Sequence, residues 1–364
     1  MNNENKLILL TSLQKKDETE TATIKSLICE KIDWAYVIGQ LIHHRLTGYF
    51  INGLPNECKK YMFNEVAKQF NFIVSQNKYI TETNMNYMQE IFNEFESNGI
   101  SYAGLKGVIF NVDLYDLGIR RSNDIDILVP EYELNKVDEI LRKRGFIQSF
   151  DKGNTEASKK EKIIQRLNHH DLVPYYKKND NSIFVPFYKI DVNFKMDSDK
   201  EGLTEKTLEF GTELYEKNGY KLRGLVWQTH LLQLCLHFSR EARHSIWASE
   251  KRDCMLYKIV DIENTIRNIG KEKLNLWLVT MKDFECDNDI FYTFYYLNEF
   301  YPCEYYEQII NMLNIDNKDY LKEIKMVGSK NVVIREKSLY DKTFDLKYCI
   351  NFSNIDYKKT DMNN

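Results

Sequence analysis

The hydrophobic pattern changes abruptly near residue 99, and this change restricts the fold more than any other feature of the sequence. Before it, apolar residues recur every three or four positions, which is typical of helices that bury one face. The last of these helices is predicted over 82–97 and ends at Asn98-Gly99. After it, short apolar runs alternate with amphipathic stretches. A strand–helix–strand–helix order of this kind indicates a sheet covered by helices.

Four elements are predicted in the stretch that follows the change. Strands are expected at 100–105 and 125–129, and helices at 108–114 and 131–144, the second of which ends at Gly145. Each strand is short and apolar, so each is expected to be largely buried in the sheet.

A β-hairpin is predicted farther along the chain, from 171–177 and 183–196, on either side of the turn sequence KKNDN. Pro174 and Pro186 have no backbone N–H to donate, so we expect them at strand edges or bulges. From about 203 to 325 the apolar spacing predicts helices again.

These patterns divide the chain into four regions. They are 1–98 (helical), 99–200 (the core), 201–328 (helical, with a strong helix over 226–243) and 329–364 (a tail with β-like pieces at 331–335 and 344–352). A chain of 364 residues is long enough for two or three domains with buried cores. We therefore predict an α+β fold, in which a small mixed β-sheet core is flanked by helices and by largely helical N- and C-terminal regions.

Composition excludes some classes of protein. The formal net charge of −4, from 50 basic and 54 acidic residues, argues against a protein coated in basic charge that binds duplex nucleic acid regardless of sequence. The seven cysteines are scattered and form no CxxC pair, which indicates reduced thiols rather than disulfides or a zinc site. The N-terminal apolar run is too short for a signal peptide, and no segment is long and apolar enough to span a membrane. We therefore expect a cytoplasmic protein with no membrane partner.

Three acidic residues are the strongest candidates for a catalytic site. Asp124 and Asp126 flank Ile125 at the start of an apolar strand, and residues two apart on a strand point to the same face. Adjacent carboxylates repel each other unless a cation lies between them, and their hard oxygen atoms suit Mg²⁺. Asp191 lies in a later strand with alternating apolar and polar residues and is expected to be the third acid. Carboxylates that hold two metal ions are the usual device for in-line phosphoryl or nucleotidyl displacement.

An isolated Asp-x-Asp pair is more often an ordinary loop or helix cap, but this pair belongs to a longer run of motifs. The run consists of Leu105-Lys106-Gly107, Leu114-Tyr115, Gly118-Ile119-Arg120 and Asp124-Ile125-Asp126-Ile127-Leu128-Val129. It resembles the uncharacterised bacterial nucleotidyltransferase-like proteins of the polymerase-β nucleotidyltransferase superfamily, which show Leu-Lys-Gly, Leu-Tyr, Gly-Leu-Arg and Asp-Ile-Asp-Leu-Leu-Val. The resemblance continues more weakly through His169-His170, Asp191 and the helix LLQLCLHF to Asp261, and so covers about 100–265.

The resemblance implies a nucleotidyltransferase core and assigns roles within it. The catalytic and metal-binding residues would be Asp124, Asp126 and Asp191, with two Mg²⁺ ions expected and Mn²⁺ as an alternative. The nucleotide-binding candidates, which offer positive charge, close backbone approach or a hydroxyl donor, are Lys106, Gly107, Arg120 and Ser122. The candidates for the acceptor side of the cleft are His170, Asn193, His237 and Arg240.

Two of these positions depart from the pattern of the family, and other candidates have a purely structural interpretation. Better-known members of the superfamily carry Gly-Ser or Gly-Gly in place of Lys106-Gly107, and relatives often carry His in place of Asn193. His237 belongs to a series of histidines spaced by seven residues, about 10 Å apart along a helix, so they cannot share one metal and are expected to form a packing face. Arg120 could be a solvated side chain, and Asp261 a helix cap or half of a buried ion pair.

The predicted reaction moves a nucleoside monophosphate from an NTP to a hydroxyl or other acceptor on a small molecule, peptide or protein, with loss of pyrophosphate. ATP is the favoured donor because of its cellular abundance. Two alternatives stay open: a noncatalytic nucleotide- or partner-binding protein that kept the fold, motivated by Lys106 and Asn193, and a toxin-type enzyme that acts on tRNA or protein. Nucleic acid is an alternative partner that the net charge does not favour.

Overall fold

The computed structural model describes residues 1–122, 124–198, 200–329 and 331–348. Helices make up most of this chain, and seven strands form one mixed sheet, so the predicted α+β class is confirmed. None of the helices in these ranges combines the length and the apolar composition that crossing a bilayer requires.

The N-terminal region consists of helices, as predicted. They are α1 (Asn3–Thr11), α2 (Glu18–Ile28), α3 (Trp34–His43), α4 (Thr47–Gly53) and α5 (Asn64–Ser97). The helix predicted over 82–97 is the last half of α5, because no glycine or proline interrupts the chain between 64 and 97. The buried face of α5 packs against the sheet through Met88, Phe92 and Phe95.

The sheet contains all the strands predicted between 100 and 196 and three further ones. The strands are β1 (Ala103–Leu105), β2 (Ile125–Leu128), β3 (Ile147–Gln148), β4 (Tyr175–Lys178), β5 (Phe187–Asn193), β6 (Thr212–Lys217) and β7 (Tyr220–Leu225). Their order is β3-β4-β5-β2-β1-β7-β6. β2 runs parallel to β5 and β1 parallel to β7, while the other neighbours are antiparallel. Pro174 and Pro186 each come directly before a strand, as their missing N–H requires.

The helices that follow β1 cover the sheet and build the C-terminal region. They are α6 (Gly107–Phe110), α7 (Leu134–Lys143), α8 (Lys159–Asn168), α9 (Leu203–Phe210), α10 (Trp227–Ala242), α11 (Ser245–Ser249), α12 (Leu256–Ile269), α13 (Leu274–Met281), α14 (Asp287–Phe300) and α15 (Glu304–Leu313). A small antiparallel pair, β8 (Glu323–Lys325) and β9 (Val332–Ile334), precedes α16 (Leu339–Phe344).

Two sequence expectations were wrong. The stretch from 203 to 325 is not uniformly helical, because β6 and β7 form a hairpin around Asn218-Gly219 and extend the main sheet. Asn-Gly between alternating residues is a strong hairpin signal, and the helical pattern around it concealed this one. In the tail, β9 lies within the predicted 331–335, but the strand-like piece predicted at 344–352 begins with the last residue of α16, and 349–352 lie outside the described residues.

Two glycines let α6 lie directly on the sheet. Gly104 and Gly224 are paired across β1 and β7. A Cβ at Gly224 would come within 2.3 Å of the Ile109 Cδ1 atom, and a Cβ at Gly104 within 3.2 Å of the same atom. Since these positions have no side chain, α6 packs closely and fixes the turn that joins it to β1.

The N-terminal and C-terminal helices share one hydrophobic core. Leu7, Leu41 and Phe50 from the N-terminal helices belong to the same buried cluster as Leu231 and Phe291 from the C-terminal helices. The first helices are therefore an integral part of the packing around the sheet.

His44 joins these two helical parts by hydrogen bonds. Its Nδ1 accepts from the Leu256 N–H at 3.1 Å, and its Nε2 lies 3.1 Å from the Thr343 carbonyl oxygen. Nε2 therefore donates to that oxygen, and the ring is neutral. Burial, assisted by the neighbouring His43, holds the pKa of His44 well below its ordinary value.

The free energy of unfolding should therefore fall as the pH drops below about 6.5. The unfolded chain takes up a proton on His44 before the folded chain does, so this contribution is complete above that pH. It is lost by about 1.4 kcal/mol per pH unit below it. Urea unfolding at pH 7.5 and 5.5, compared with His44→Gln, isolates the effect because the variant keeps the other histidines. Equal pH dependence in the two proteins would contradict this account.

Candidate active site

The pairing of β2 with β5 brings the three predicted acids together. Asp126 and Asp191 are direct partners across these parallel strands. Asp124 comes two residues before Asp126, immediately ahead of β2. The side chains of Asp126 and Asp191 are mostly buried, with 14% and 13% of their surface exposed, whereas Asp124 is 46% exposed. The two strands thus present a partly buried acidic patch with one member open to solvent.

Two lysines form ion pairs with the acids of this patch. The Lys106 Nζ lies 3.1 Å from Asp126 Oδ1. The Lys189 Nζ lies 2.5 Å from Asp191 Oδ2 and 3.6 Å from Asp124 Oδ2. Every carboxylate of the patch is therefore within ion-pair distance of an ammonium group.

Burial and the neighbouring charges together shift the pKa values of three members of this patch. Burial raises the pKa of Asp191 to about 7, and the negative charges of Asp126 and Asp124 act in the same direction against Lys189. Burial acts to lower the pKa of Lys189, but Asp191 and Asp124 outweigh it, so that pKa is raised. For Lys106, Asp126 and then Glu241 outweigh burial in the same way. Burial and the two neighbouring acids therefore outweigh the stabilising charge of Lys189 on Asp191.

The turn between β1 and α6 places Lys106 beside the acids. Lys106 has φ 50° and ψ −118°, a conformation that glycine adopts readily and that strains a residue with a Cβ. At the next position, a Cβ on Gly107 would come within 2.7 Å of both Arg120 Nη1 and Ser122 Oγ. The turn, Arg120 and Ser122 are consequently in close contact.

Arg120 belongs to a buried polar network as well as to the site. Its Nε donates to Asp261 Oδ2 at 2.8 Å. The other oxygen of Asp261 accepts from the hydroxyl groups of Tyr49 and Tyr115, at 2.7 and 2.9 Å. Of the two interpretations of Asp261, the buried ion pair is the one observed. The network ties α4, the segment before β2 and α12 together.

A cleft of about 430 Å³ opens over the acidic patch. It is lined by eight Lys or Arg residues and six Asp or Glu residues. Of the predicted nucleotide-binding residues, it includes Lys106, Gly107 and Arg120. Ser122 is not among the described lining residues; it is buried, and its hydroxyl lies 3.4 Å from the Asp124 carbonyl oxygen. The predicted contact of Ser122 with a nucleotide does not follow from this arrangement.

All four predicted acceptor-side residues line the cleft. They are His170, Asn193, His237 and Arg240. Burial, then the charges of Arg240 and Lys106, lower the pKa of His170 to about 2. Burial and then Lys106 hold the pKa of His237 well below its ordinary value. Both imidazoles are therefore neutral and able to accept as well as donate a hydrogen bond.

The other two acceptor-side residues differ in how they are held. The Asn193 Nδ2 donates to the Ile127 carbonyl oxygen at 3.2 Å, so this side chain links β5 to β2. One buried terminal nitrogen of Arg240, Nη1, has no hydrogen-bond partner within the described part of the chain. An anionic or carbonyl group entering the cleft would satisfy it.

The seven-residue histidine series does not act as a unit. His230 is buried against the Phe110 ring, with centroids 5.3 Å apart, and His244 caps the start of α11. His237 is the member that lines the cleft, and its Nε2 lies 3.6 Å from Glu241 Oε2. The expected packing role therefore fits His230, whereas His237 and His244 have other positions.

The cleft also contains residues that carried no assigned role. They include Arg45, Lys189, Trp247, Arg252, Tyr257 and Lys258. The strand alternation could have identified Lys189, which shares a face with Asp191 two residues later. The others come from α11, α12 and the loops beside them and from the corner after α3, and they belong to no motif.

The sequence of this chain matches one known protein family. Residues 30–302 match the family described as "Uncharacterised nucleotidyltransferase". This match extends on both sides of the 100–265 expected from the motifs and includes α3 to α5. Comparison with curated proteins and with solved structures found no match. Because the family match covers most of the chain and the whole cleft, the chain belongs to this nucleotidyltransferase family.

Proposed function

We propose that the protein transfers a nucleoside monophosphate from an NTP to a hydroxyl or other acceptor group and releases pyrophosphate. The observation that carries this proposal is the direct pairing of Asp126 with Asp191, beside Asp124, under a cleft rich in basic side chains. The motif run and the mixed sheet also favour a polymerase-β-like core.

The acids suit a divalent cation by their chemistry. Asp124, Asp126 and Asp191 offer hard carboxylate oxygens, and their mutual repulsion is what a cation relieves. As the side chains stand, each of them pairs with a lysine, and the described ranges contain no group of three His, Cys, Asp or Glu residues arranged to hold a metal ion. We propose that the three acids hold Mg²⁺, or Mn²⁺, which when bound supplies positive charge to the triphosphate.

The basic residues would hold the triphosphate. Lys106 lies beside Asp126, and the terminal nitrogens of Arg120 reach the Gly107 turn. Arg45 and Arg252 line the same cleft. Guanidinium groups bind phosphate oxygens in bidentate fashion, so these side chains would neutralise the donor and orient it.

The reaction requires one bond to form and one to break. The acceptor oxygen bonds to the α-phosphorus, the bond from that phosphorus to the α–β bridging oxygen breaks, and pyrophosphate leaves with the electron pair. The acceptor proton passes to a carboxylate, for which Asp191 is our candidate because it lies on β5 opposite Asp126 and lines the cleft. His170, His237 and Arg240 would contact the acceptor.

ATP is the donor we favour, and a small molecule, peptide or protein is the acceptor. We place the reaction in the cytoplasm, where NTPs are abundant and free cysteines such as those of the described chain stay reduced. A noncatalytic binding protein and a toxin that modifies tRNA or protein are the competing functions, and the same assay separates them.

The test is incubation with each α-³²P-labelled NTP, Mg²⁺ and a cell extract, followed by detection of labelled products and of pyrophosphate. We expect both products from the wild type, neither from the double variant Asp124→Ala/Asp126→Ala, and wild-type amounts from Asp180→Asn, which changes an exposed acid in the β4–β5 connection. If the wild type yields neither, the binding function replaces this proposal. Label on tRNA, with growth arrest on expression, identifies the toxin.

A further inference from the structure

We infer that Lys189 takes the place of one of the two divalent cations in this acidic site, so that the protein binds a single divalent cation. The inference deepens the proposed function, on which it rests, by defining its metal requirement. It follows from where the sheet places Lys189, from the charges around it and from its difference from Lys106.

The strand register places Lys189 within the acidic patch. Ile125 pairs with Ile190 and Asp126 with Asp191 in the parallel β2–β5 ladder. Continued one residue back, the same register sets Asp124 opposite Lys189. The 3.6 Å distance between Lys189 Nζ and Asp124 Oδ2 agrees with this pairing. The patch therefore consists of two facing pairs of residues, Asp124 with Lys189 and Asp126 with Asp191.

Lys189 contacts two of the three acids. Its Nζ is 2.5 Å from Asp191 Oδ2 and 3.6 Å from Asp124 Oδ2, so the ammonium group bridges the strands. Its side chain is 22% exposed, which is low for a lysine and shows that the contact is partly shielded from water. A positive charge that bridges two carboxylates does what a bound cation would do there.

Charge balance limits what else the patch can hold. With all groups charged, Asp124, Asp126 and Asp191 oppose Lys106 and Lys189 and leave an excess of one negative charge. One divalent cation reverses that excess. A second would leave an excess of three positive charges in a partly buried site that already holds two ammonium groups, and these like charges would repel one another.

Lys106 pairs with a different acid from the two that Lys189 contacts. It approaches Asp126 from the turn after β1, and within the described residues its Nζ forms an ion pair with that carboxylate. Lys106 belongs to the turn between β1 and α6 and has a strained backbone conformation. With Gly107 it lines the part of the cleft where the triphosphate is proposed to bind. The single cation is therefore expected at Asp126 Oδ2 and Asp191 Oδ1, the oxygens of these two acids that accept no hydrogen bond from Lys106 or Lys189.

The test counts bound Mn²⁺ by electron paramagnetic resonance, titrating the metal alone into the full chain. We expect one ion per chain for the wild type and two for Lys189→Met, because the variant removes the internal charge and leaves the carboxylates. The control variant Lys178→Met, which replaces an exposed lysine at the end of β4, should bind one Mn²⁺ ion. Lys189→Arg keeps the charge and should also bind one. If Lys189→Met does not fold, Lys189→Gln takes its place.

Two ions in the wild type, one ion in the neutral variant, or none in either protein would overturn the inference. A second readout is thermal: Mg²⁺ should raise the Tm of Lys189→Met more than that of the wild type, since only the variant has unpaired carboxylates. Both measurements are independent of nucleotide transfer. A wild type that binds one ion but transfers no label would refute the proposed reaction and leave the cation count intact.

Discussion

Replacing Asp261 with alanine is expected to lower the free energy of unfolding by about 3–5 kcal/mol, which is the usual cost of removing one partner of a buried ion pair. Asp261 is 3% exposed and accepts hydrogen bonds from Arg120, Tyr49 and Tyr115. The substitution leaves a buried guanidinium group without its counter-ion and two hydroxyl groups without their acceptor. Since the three donors come from separate parts of the chain, the loss should loosen the packing of α4 on α12.

Urea unfolding at neutral pH measures this effect. Tyr115→Phe removes one of the three hydrogen bonds and should cost only about 1 kcal/mol. Asp319→Ala, which removes an exposed acid, should stay within about 0.5 kcal/mol of the wild type. If Asp261→Ala is no more destabilising than Asp319→Ala, the network is not what joins the N-terminal helices to the site.

The second large effect concerns Asp191. We expect Asp191→Asn to reduce the rate of nucleotide transfer on the order of 10³-fold, because several kcal/mol of transition-state charge stabilisation disappears with the carboxylate charge. The amide has the same shape, and Asp191 already carries unfavourable negative charge from Asp126 and Asp124. The variant should therefore fold as well as the wild type.

Initial rates of pyrophosphate release, together with unfolding curves, separate chemistry from stability in this variant. Asp180→Asn is the matched control, because it makes the same change at an exposed position of the β4–β5 connection. A loss of less than tenfold in Asp191→Asn, with the fold intact, would remove this residue from the catalytic site.

The sequence alone predicted the acids and the strands that carry them. Asp124 and Asp126 share a face because residues alternate along a strand, and Asp191 occupies the equivalent position in a later strand. The pairing of Asp126 with Asp191 was not predictable, because register between β2 and β5 depends on contacts between distant segments. For the same reason, the alternation of residues along β5 places Lys189 on the same face as Asp191 but does not predict its ion pair with Asp124.

The rest of the cleft lies beyond what local patterns reveal. Arg45, Trp247 and Tyr257 reach it through the packing of helices that share a core, and helical periodicity does not say which helices meet. The β6–β7 hairpin had a readable signal in Asn218-Gly219, but its place beside β1 again depends on long-range pairing. The nucleotide contact of Ser122 stays a prediction, since its hydroxyl lies beside the Gly107 turn and 3.4 Å from the Asp124 carbonyl oxygen.

The most direct test of the central claim is a crystal structure with Mn²⁺ and a non-hydrolysable NTP analogue, with diffraction data recorded at the manganese absorption edge. We expect an anomalous peak from a manganese ion that is bound by carboxylate oxygens of both Asp126 and Asp191 and by a phosphate of the analogue. A nucleotide bound in the cleft with no manganese at these two residues would contradict the account.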